Sequence, residues 1–173
     1  MAVIWGTIKD HKGYLDLQSE EGQGTTFTLY LPATRQDLDA AQQLFAPEDY
    51  KGRGESILVI DDIAEQREIA SALLEQLGYD VRAVDSGEAA IAFLKDKPVE
   101  FLILDMIMEP GMDGLETYRQ ILQYHPHQKA VIASGFSETG RVKAAQGLGA
   151  GSYLKKPYTL EKLGLIVKTE LGN

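Results

Sequence analysis

After residue 55, short unbroken apolar runs alternate with stretches in which apolar residues recur every three or four positions, the pattern of strands alternating with amphipathic helices. Ser56 to Ile60 is one such run and ends on Asp61-Asp62, as expected of a strand buried on both faces of a parallel sheet. Ile69, Leu73, Leu74 and Leu77 then form a helix face that stops at Gly78. The cycle repeats with strand Val81 to Val84, a helix capped by Ser86 that carries Ile91 and Leu94, and strand Phe101 to Leu104. A further helix opens on Asp113-x-x-Glu116 and turns Leu115, Tyr118 and Leu122 to one side. Strand Ala130 to Ala133, a helix from about Glu138 to Gln146, a Gly-rich turn, strand Tyr153-Leu154 and a helix from Thr159 to Leu171 complete the series. The expected fold is α/β, a doubly wound five-stranded parallel sheet with helices on both faces. In such sheets the site lies at the C-terminal ends of the strands.

The beginning of the chain follows a different pattern. Val3, Ile4 and Ile8 mark a short helix, Gly13 to Gln18 alternates, and Phe27, Leu29 and Leu31 share one strand face. These predict an N-terminal helix plus β-hairpin. A polar helical run from Gln36 to Phe45, then Pro47 and Lys51-Gly52-Arg53-Gly54, separates the two patterns. The expected division is residues 1–32, a partly helical linker over 33–54, and the α/β domain over 55–173.

Charge narrows the possible partners. A net charge of −9 and a pI near 4.8 argue against affinity for nucleic acid or anionic membranes, which need clustered Lys and Arg. With no cysteine there is neither a disulfide framework nor a thiolate metal site. No apolar run approaches the roughly 18 residues of a membrane span.

The strand ends carry the candidate chemistry: Asp61 and Asp62 after the first strand, Asp105 after the third, Ser134 after the fourth and Lys156 after the fifth. Carboxylates gathered without compensation repel one another. An all-oxygen site of this kind suits Mg²⁺. A carboxylate beside Mg²⁺ can attack phosphorus to give an acyl phosphate, while the metal, an ammonium and a hydroxyl neutralise the phosphoryl oxygens. Taken singly, each residue has an ordinary reading as a solvated strand end, a cap or a surface lysine. Matching chemistry at several strand ends at once is what makes the pattern specific.

The segments Ile57-Leu-Val-Ile-Asp61-Asp62, Leu102-Ile-Leu-Asp105-Met106, Gly111-Met112-Asp113-Gly114-Leu115, Ala133-Ser134-Gly135 and Lys156-Pro157-Tyr158 together resemble the response-regulator receiver family. The resemblance implies a flavodoxin-like receiver with strand order 2-1-3-4-5. It also implies Asp105 as phosphoacceptor, Asp62 and Asp105 as direct Mg²⁺ ligands with the Ile107 backbone carbonyl, and Asp61 acting largely through water. By the same resemblance Lys156 binds the phosphoryl group, Ser134 and Tyr153 form the switch, and Pro157 follows a cis peptide bond. The implied partners are a phosphohistidine donor domain, in a histidine kinase or a phosphotransfer protein, and a downstream protein. One departure is visible: Glu109 lengthens the loop before Met112-Asp113-Gly114 by one residue, and its side chain is expected to point outward. His125 and His127 are expected to be solvated and receive no role.

Residues 6–32, ending in Gly24-Thr-Thr-Phe27-Thr-Leu-Tyr-Leu-Pro32, resemble the end of a histidine-kinase ATP-binding domain. The segments that hold ATP in that family would lie upstream, so no ATP site is expected in this chain. The combination implies a piece of a hybrid sensor histidine kinase, cytoplasmic here even if the parent is membrane-anchored. As enzyme chemistry it would catalyse only its own phosphorylation and dephosphorylation. The orphaned apolar strand faces predict homo-oligomer formation through residues 1–32. Two alternatives are a free-standing single-domain response regulator and a Mg²⁺-dependent phosphatase with an aspartate nucleophile. The latter chemistry wants an acid two residues after the nucleophile, where Ile107 stands.

Overall fold

The structure, a computed structural model, describes residues 8, 11–33, 50–135 and 140–172 and divides into two compact units, residues 1–44 and 45–173. Apart from Ile8, which is helical, the helix expected near the N-terminus lies outside the described residues, as does the run Gln36 to Phe45.

In the first unit β1 (Tyr14–Glu20) and β2 (Gly24–Tyr30) form an antiparallel hairpin in which Leu15 faces Leu29 and Leu17 faces Phe27. Directly paired residues project to the same side, so these four make one apolar face, while Asp16, Thr28, Gln18 and Thr26 make the other. Leu17, Phe27 and Leu29 remain exposed. Ile8 is buried close to Gly13 at the base of the hairpin.

The second unit contains β3 (Ser56–Ile60), α1 (Ala64–Gln76), β4 (Asp80–Val84), α2 (Gly87–Asp96), β5 (Phe101–Asp105), α3 (Gly114–Tyr124), β6 (Lys129–Ser134), α4 (Gly140–Gly147), β7 (Tyr153–Lys155) and α5 (Leu160–Leu171). All five strands are parallel, in the order β4-β3-β5-β6-β7. This is the expected 2-1-3-4-5 order. Alternation along each strand divides the core in two. Ile57, Val59, Ile103, Val131 and Ala133 pack under α1 and α5 with Leu74, Leu163 and Val167, whereas Leu58, Ile60, Leu102, Leu104 and Ile132 pack under α2, α3 and α4 with Leu94, Tyr118 and Val142. Because both faces are covered, the central strands are apolar at every position, which is why they read as unbroken runs.

The helix boundaries follow local chemistry. Ser86, Asp113 and Thr159 accept backbone N–H groups of Ala89, Glu116 and Lys162 as N-caps of α2, α3 and α5. Gly78, at φ +89°, closes the turn after α1. Tyr50 is buried against Leu77 and Leu163, and Gly52 N–H donates to the Leu77 carbonyl at 2.8 Å. Packing onto this unit therefore begins ahead of residue 55. Among the described residues no helix is long and apolar enough to cross a membrane.

One buried polar contact ties α3 to the sheet: the Tyr118 hydroxyl donates to the Gln128 carbonyl at 2.8 Å. Tyr118→Phe keeps the ring but leaves that acceptor unpaired in a dry site. A loss of about 1–2 kcal/mol is expected in urea unfolding at an unchanged slope.

Candidate functional site at the strand ends

Register brings the acids together. Ile60 pairs with Leu104 and Asp105 with Ala133, so the residue after β3, Asp61, stands level with Asp105. Carboxylate oxygens of Asp61, Asp62 and Asp105 all lie within 4.8 Å of one another; Asp61 and Asp105 are buried and Asp62 is half-buried. Each is held by the backbone. Asp61 Oδ1 accepts the Ile63 N–H at 3.0 Å, Asp105 Oδ1 accepts the Ile107 N–H at 3.2 Å, and Asp62 Oδ2 accepts the Glu109 N–H at 3.2 Å.

Lys156 is the cation of the cluster. Its Nζ donates to Asp105 Oδ2 at 2.9 Å and pairs with Asp61 Oδ2, and all three side chains are largely buried. Its backbone is anchored too, with Lys156 N–H donating to the Ser134 carbonyl at 2.8 Å. The Lys156-Pro157 bond is cis, as expected, and Glu109-Pro110 is cis as well.

Burial pushes the Asp105 carboxyl above its ordinary range, and the Lys156 hydrogen bond and charge only partly offset it, with Asp61 adding repulsion. For Lys156, burial favours the neutral amine, but two carboxylates outweigh it and raise its pKa above the usual value. The two directions agree once charges are counted. One ammonium serves two acids, so Lys156 gains more than either carboxylate does. A cluster with surplus negative charge and only oxygen donors suits a hard divalent cation such as Mg²⁺, and the donor set fits that ion.

Ser134 ends β6, buried, one residue past the partner of Asp105. The Tyr153 hydroxyl donates to the Ser134 carbonyl at 3.2 Å, and its half-buried ring packs against the core cluster under α2, α3 and α4. Asp61, Asp62, Asp105 and Lys156 thus lie together, while Ile107 contributes its N–H to Asp105 and leaves its side chain exposed. Glu109 is exposed, as expected, and its backbone rather than its side chain faces the cluster. His125 and His127 lie at the opposite end of the sheet, where they line a shallow cavity of about 310 Å³ with Val99, Glu100 and Tyr124. Among the described residues, they belong to no cluster of potential metal ligands.

Sequence reasoning missed two contacts. Arg67 on α1 donates to the Asp61 carbonyl at 2.7 Å, and Glu88 on α2 accepts the Met112 N–H at 3.1 Å. Both link side chains to backbone atoms across loops, and no residue-type pattern announces such pairs.

Comparison with known proteins agrees with this geometry. The chain is 27% identical over 180 residues to the sensor kinase CckA of Brucella abortus, an alignment covering 99% of this chain and 19% of that protein. It is 27% identical over 172 residues to the aerobic respiration control sensor protein ArcB of Escherichia coli, covering 97% of this chain and 22% of that one. The chain therefore spans about a fifth of the length of these curated relatives. The crystal structure of the receiver domain of NtrX from Brucella abortus superimposes with a TM-score of 0.64 at 26% identity, over 68% of this chain and 98% of that one. Residues 57–168 match the response regulator receiver domain, and with the parallel sheet and the acids at its strand ends the chain belongs to that family.

Proposed function

We propose that this receiver takes a phosphoryl group from a phosphohistidine onto Asp105, with Mg²⁺ held by Asp62, Asp105 and the Ile107 carbonyl and reached by Asp61 largely through water. The observation that carries this reading is the gathering of the Asp61, Asp62 and Asp105 carboxylates within 4.8 Å of one another, with the Lys156 ammonium paired to Asp61 and Asp105. Mg²⁺ would supply charge neutralisation for the acids and the phosphoryl oxygens. The chain's own residues do the rest. An Asp105 carboxylate oxygen forms the new O–P bond as the P–N bond to the donor imidazole breaks, and the imidazole nitrogen retains the electron pair. Lys156, fixed by Asp61 and by the Ser134 carbonyl, meets the charge on the transferred group. The Ser134 hydroxyl follows that group and biases Tyr153, changing the surface around β7 for a downstream protein.

The wider context of this reading is a hybrid sensor kinase. It is supported by alignments to sensor kinases that run through the hairpin as well as the receiver. The exposed apolar face of Leu17, Phe27 and Leu29 supports self-association of residues 1–32. A phosphatase reading lacks its acid, because Ile107 stands two residues after Asp105.

Incubation with acetyl phosphate and Mg²⁺ should add one phosphoryl group by intact mass, in a linkage cleaved by hydroxylamine. Chelation of Mg²⁺ with EDTA should lower incorporation to background. A wild-type protein that gains no mass under these conditions refutes the reading.

A further inference from the structure

The loop between β5 and α3 leaves and returns at one point. Gly114 N–H donates to the Met106 carbonyl at 3.3 Å, and a Cβ on Gly114 would stand 2.2 Å from the Asp105 carbonyl oxygen. With its ends closed together, the loop over residues 107–113 can neither straighten nor displace the helix. It must bulge, and the bulge is held by Glu88. Glu88 Oε1 accepts the Met112 N–H at 3.1 Å, and the two carboxylate oxygens lie 3.2 and 3.3 Å from where a Cβ would project on Gly111, itself at φ +120°. The chain thus wraps closely around the carboxylate at a position where glycine is required.

Glu88 is in turn fixed relative to both ends of the loop. It stands on the first turn of α2, where Ser86 Oγ accepts the Ala89 N–H at 3.3 Å. A Cβ on Gly87 would lie 2.0 Å from Thr117 Oγ1, so α2 and α3 touch there, and the buried Thr117 hydroxyl donates to the Asp113 carbonyl at 2.7 Å. The loop held in this way supplies the N–H groups of Ile107 and Glu109 to Asp105 and Asp62.

We propose that Glu88 is a positioning residue: its carboxylate straps the β5–α3 loop at Met112, so that the Ile107 and Glu109 N–H groups face the acid cluster. The proposal extends the phosphoacceptor reading to a residue outside the cluster, and its first test needs neither metal nor phosphodonor. Glu88 is exposed, so its removal should loosen the loop without loosening the core.

In the metal-free full chain, Glu88→Ala is expected to speed amide hydrogen exchange at Ile107, Glu109 and Met112 by roughly tenfold, at an unchanged unfolding midpoint. Glu88→Gln should exchange like the wild type, since its side-chain oxygen accepts the same bond. Followed by amide chemical shifts, Mg²⁺ half-saturation should rise severalfold in Glu88→Ala and stay near the wild-type value in Glu88→Gln. Faster exchange confined to Met112, or a Glu88→Gln variant as fast as Glu88→Ala, overturns the proposal. If the exchange pattern holds while Mg²⁺ moves no wild-type resonance, the strap stands and the phosphoacceptor reading fails.

Discussion

Asp105→Asn is expected to abolish phosphoryl incorporation and, in metal-free buffer at neutral pH, to unfold at a higher denaturant concentration than the wild type. The first effect follows from removing the only proposed nucleophile, since an amide oxygen cannot form a stable acyl phosphate. The second follows from electrostatics. Burial, with repulsion from Asp61 added, holds the Asp105 carboxyl above its ordinary pKa of 3.8 despite Lys156. A carboxyl whose folded pKa exceeds its unfolded value binds more protons when folded. Wild-type stability should therefore fall as pH rises from the ordinary value through the raised one, and the cost is complete above it. Asparagine carries no charge to desolvate and can still accept from Lys156 Nζ, so its stability should be flatter across that window. Saturating Mg²⁺ should reverse the order, because a ligand bound more tightly by the folded wild type adds stability that grows with the logarithm of its concentration over Kd. Urea midpoints across acidic to neutral pH, with and without Mg²⁺, check all of this. An Asn variant that is less stable in metal-free buffer would show that Lys156 outweighs burial at Asp105.

Lys156 has linkage of the same sign, in a far higher pH window. Its raised pKa means that its contribution is complete below its ordinary value of 10.5 and is lost as pH rises through the folded value. At neutral pH the ammonium is present in full, and the charge left uncovered belongs to the acids. This asymmetry is what leaves the cluster suited to a divalent cation.

The central sheet was legible because both of its faces are covered. Ile57 to Ile60 and Phe101 to Leu104 are apolar at every position, and their ends carry the acids. The site residues were legible for a related reason: parallel strands put Asp61, Asp105, Ser134 and Lys156 at one edge, whatever the loops do. Contacts that depend on loop shape were not legible. Glu109 reads as a solvated carboxylate, and its side chain is, yet its N–H meets Asp62 through a backbone path that residue types do not encode. The burial of Tyr50 was equally hidden, because it depends on Gly164 of α5, where a Cβ would stand 3.0 Å from the tyrosine ring, over a hundred positions away. Asp113-Gly114 lies between these cases. The aspartate was recognisable as a helix cap, but nothing local reveals why glycine follows it.

Gly114→Ala separates the two explanations for that glycine. Helix propensity alone favours alanine by up to about 1 kcal/mol at a helical position, so a purely local reading predicts a more stable protein. The packing predicts the reverse. A Cβ at Gly114 would stand 2.2 Å from the Asp105 carbonyl oxygen and 2.8 Å from the Met106 Cα, and both obstacles are backbone atoms at the end of a central strand. No rotamer change relieves such a contact, so α3 must move off β5 or the strand end must shift. Overpacking of this kind is expected to cost about 3 kcal/mol, read as a lower urea midpoint. Because the shift falls on Asp105 itself, phosphoryl incorporation per folded molecule should drop with it. Tyr118→Phe, which weakens α3 at its contact with the Gln128 carbonyl and not at Asp105, should leave incorporation intact. A Gly114→Ala protein as stable as the wild type would mean that the close approach of α3 to β5 is not what places the phosphoacceptor.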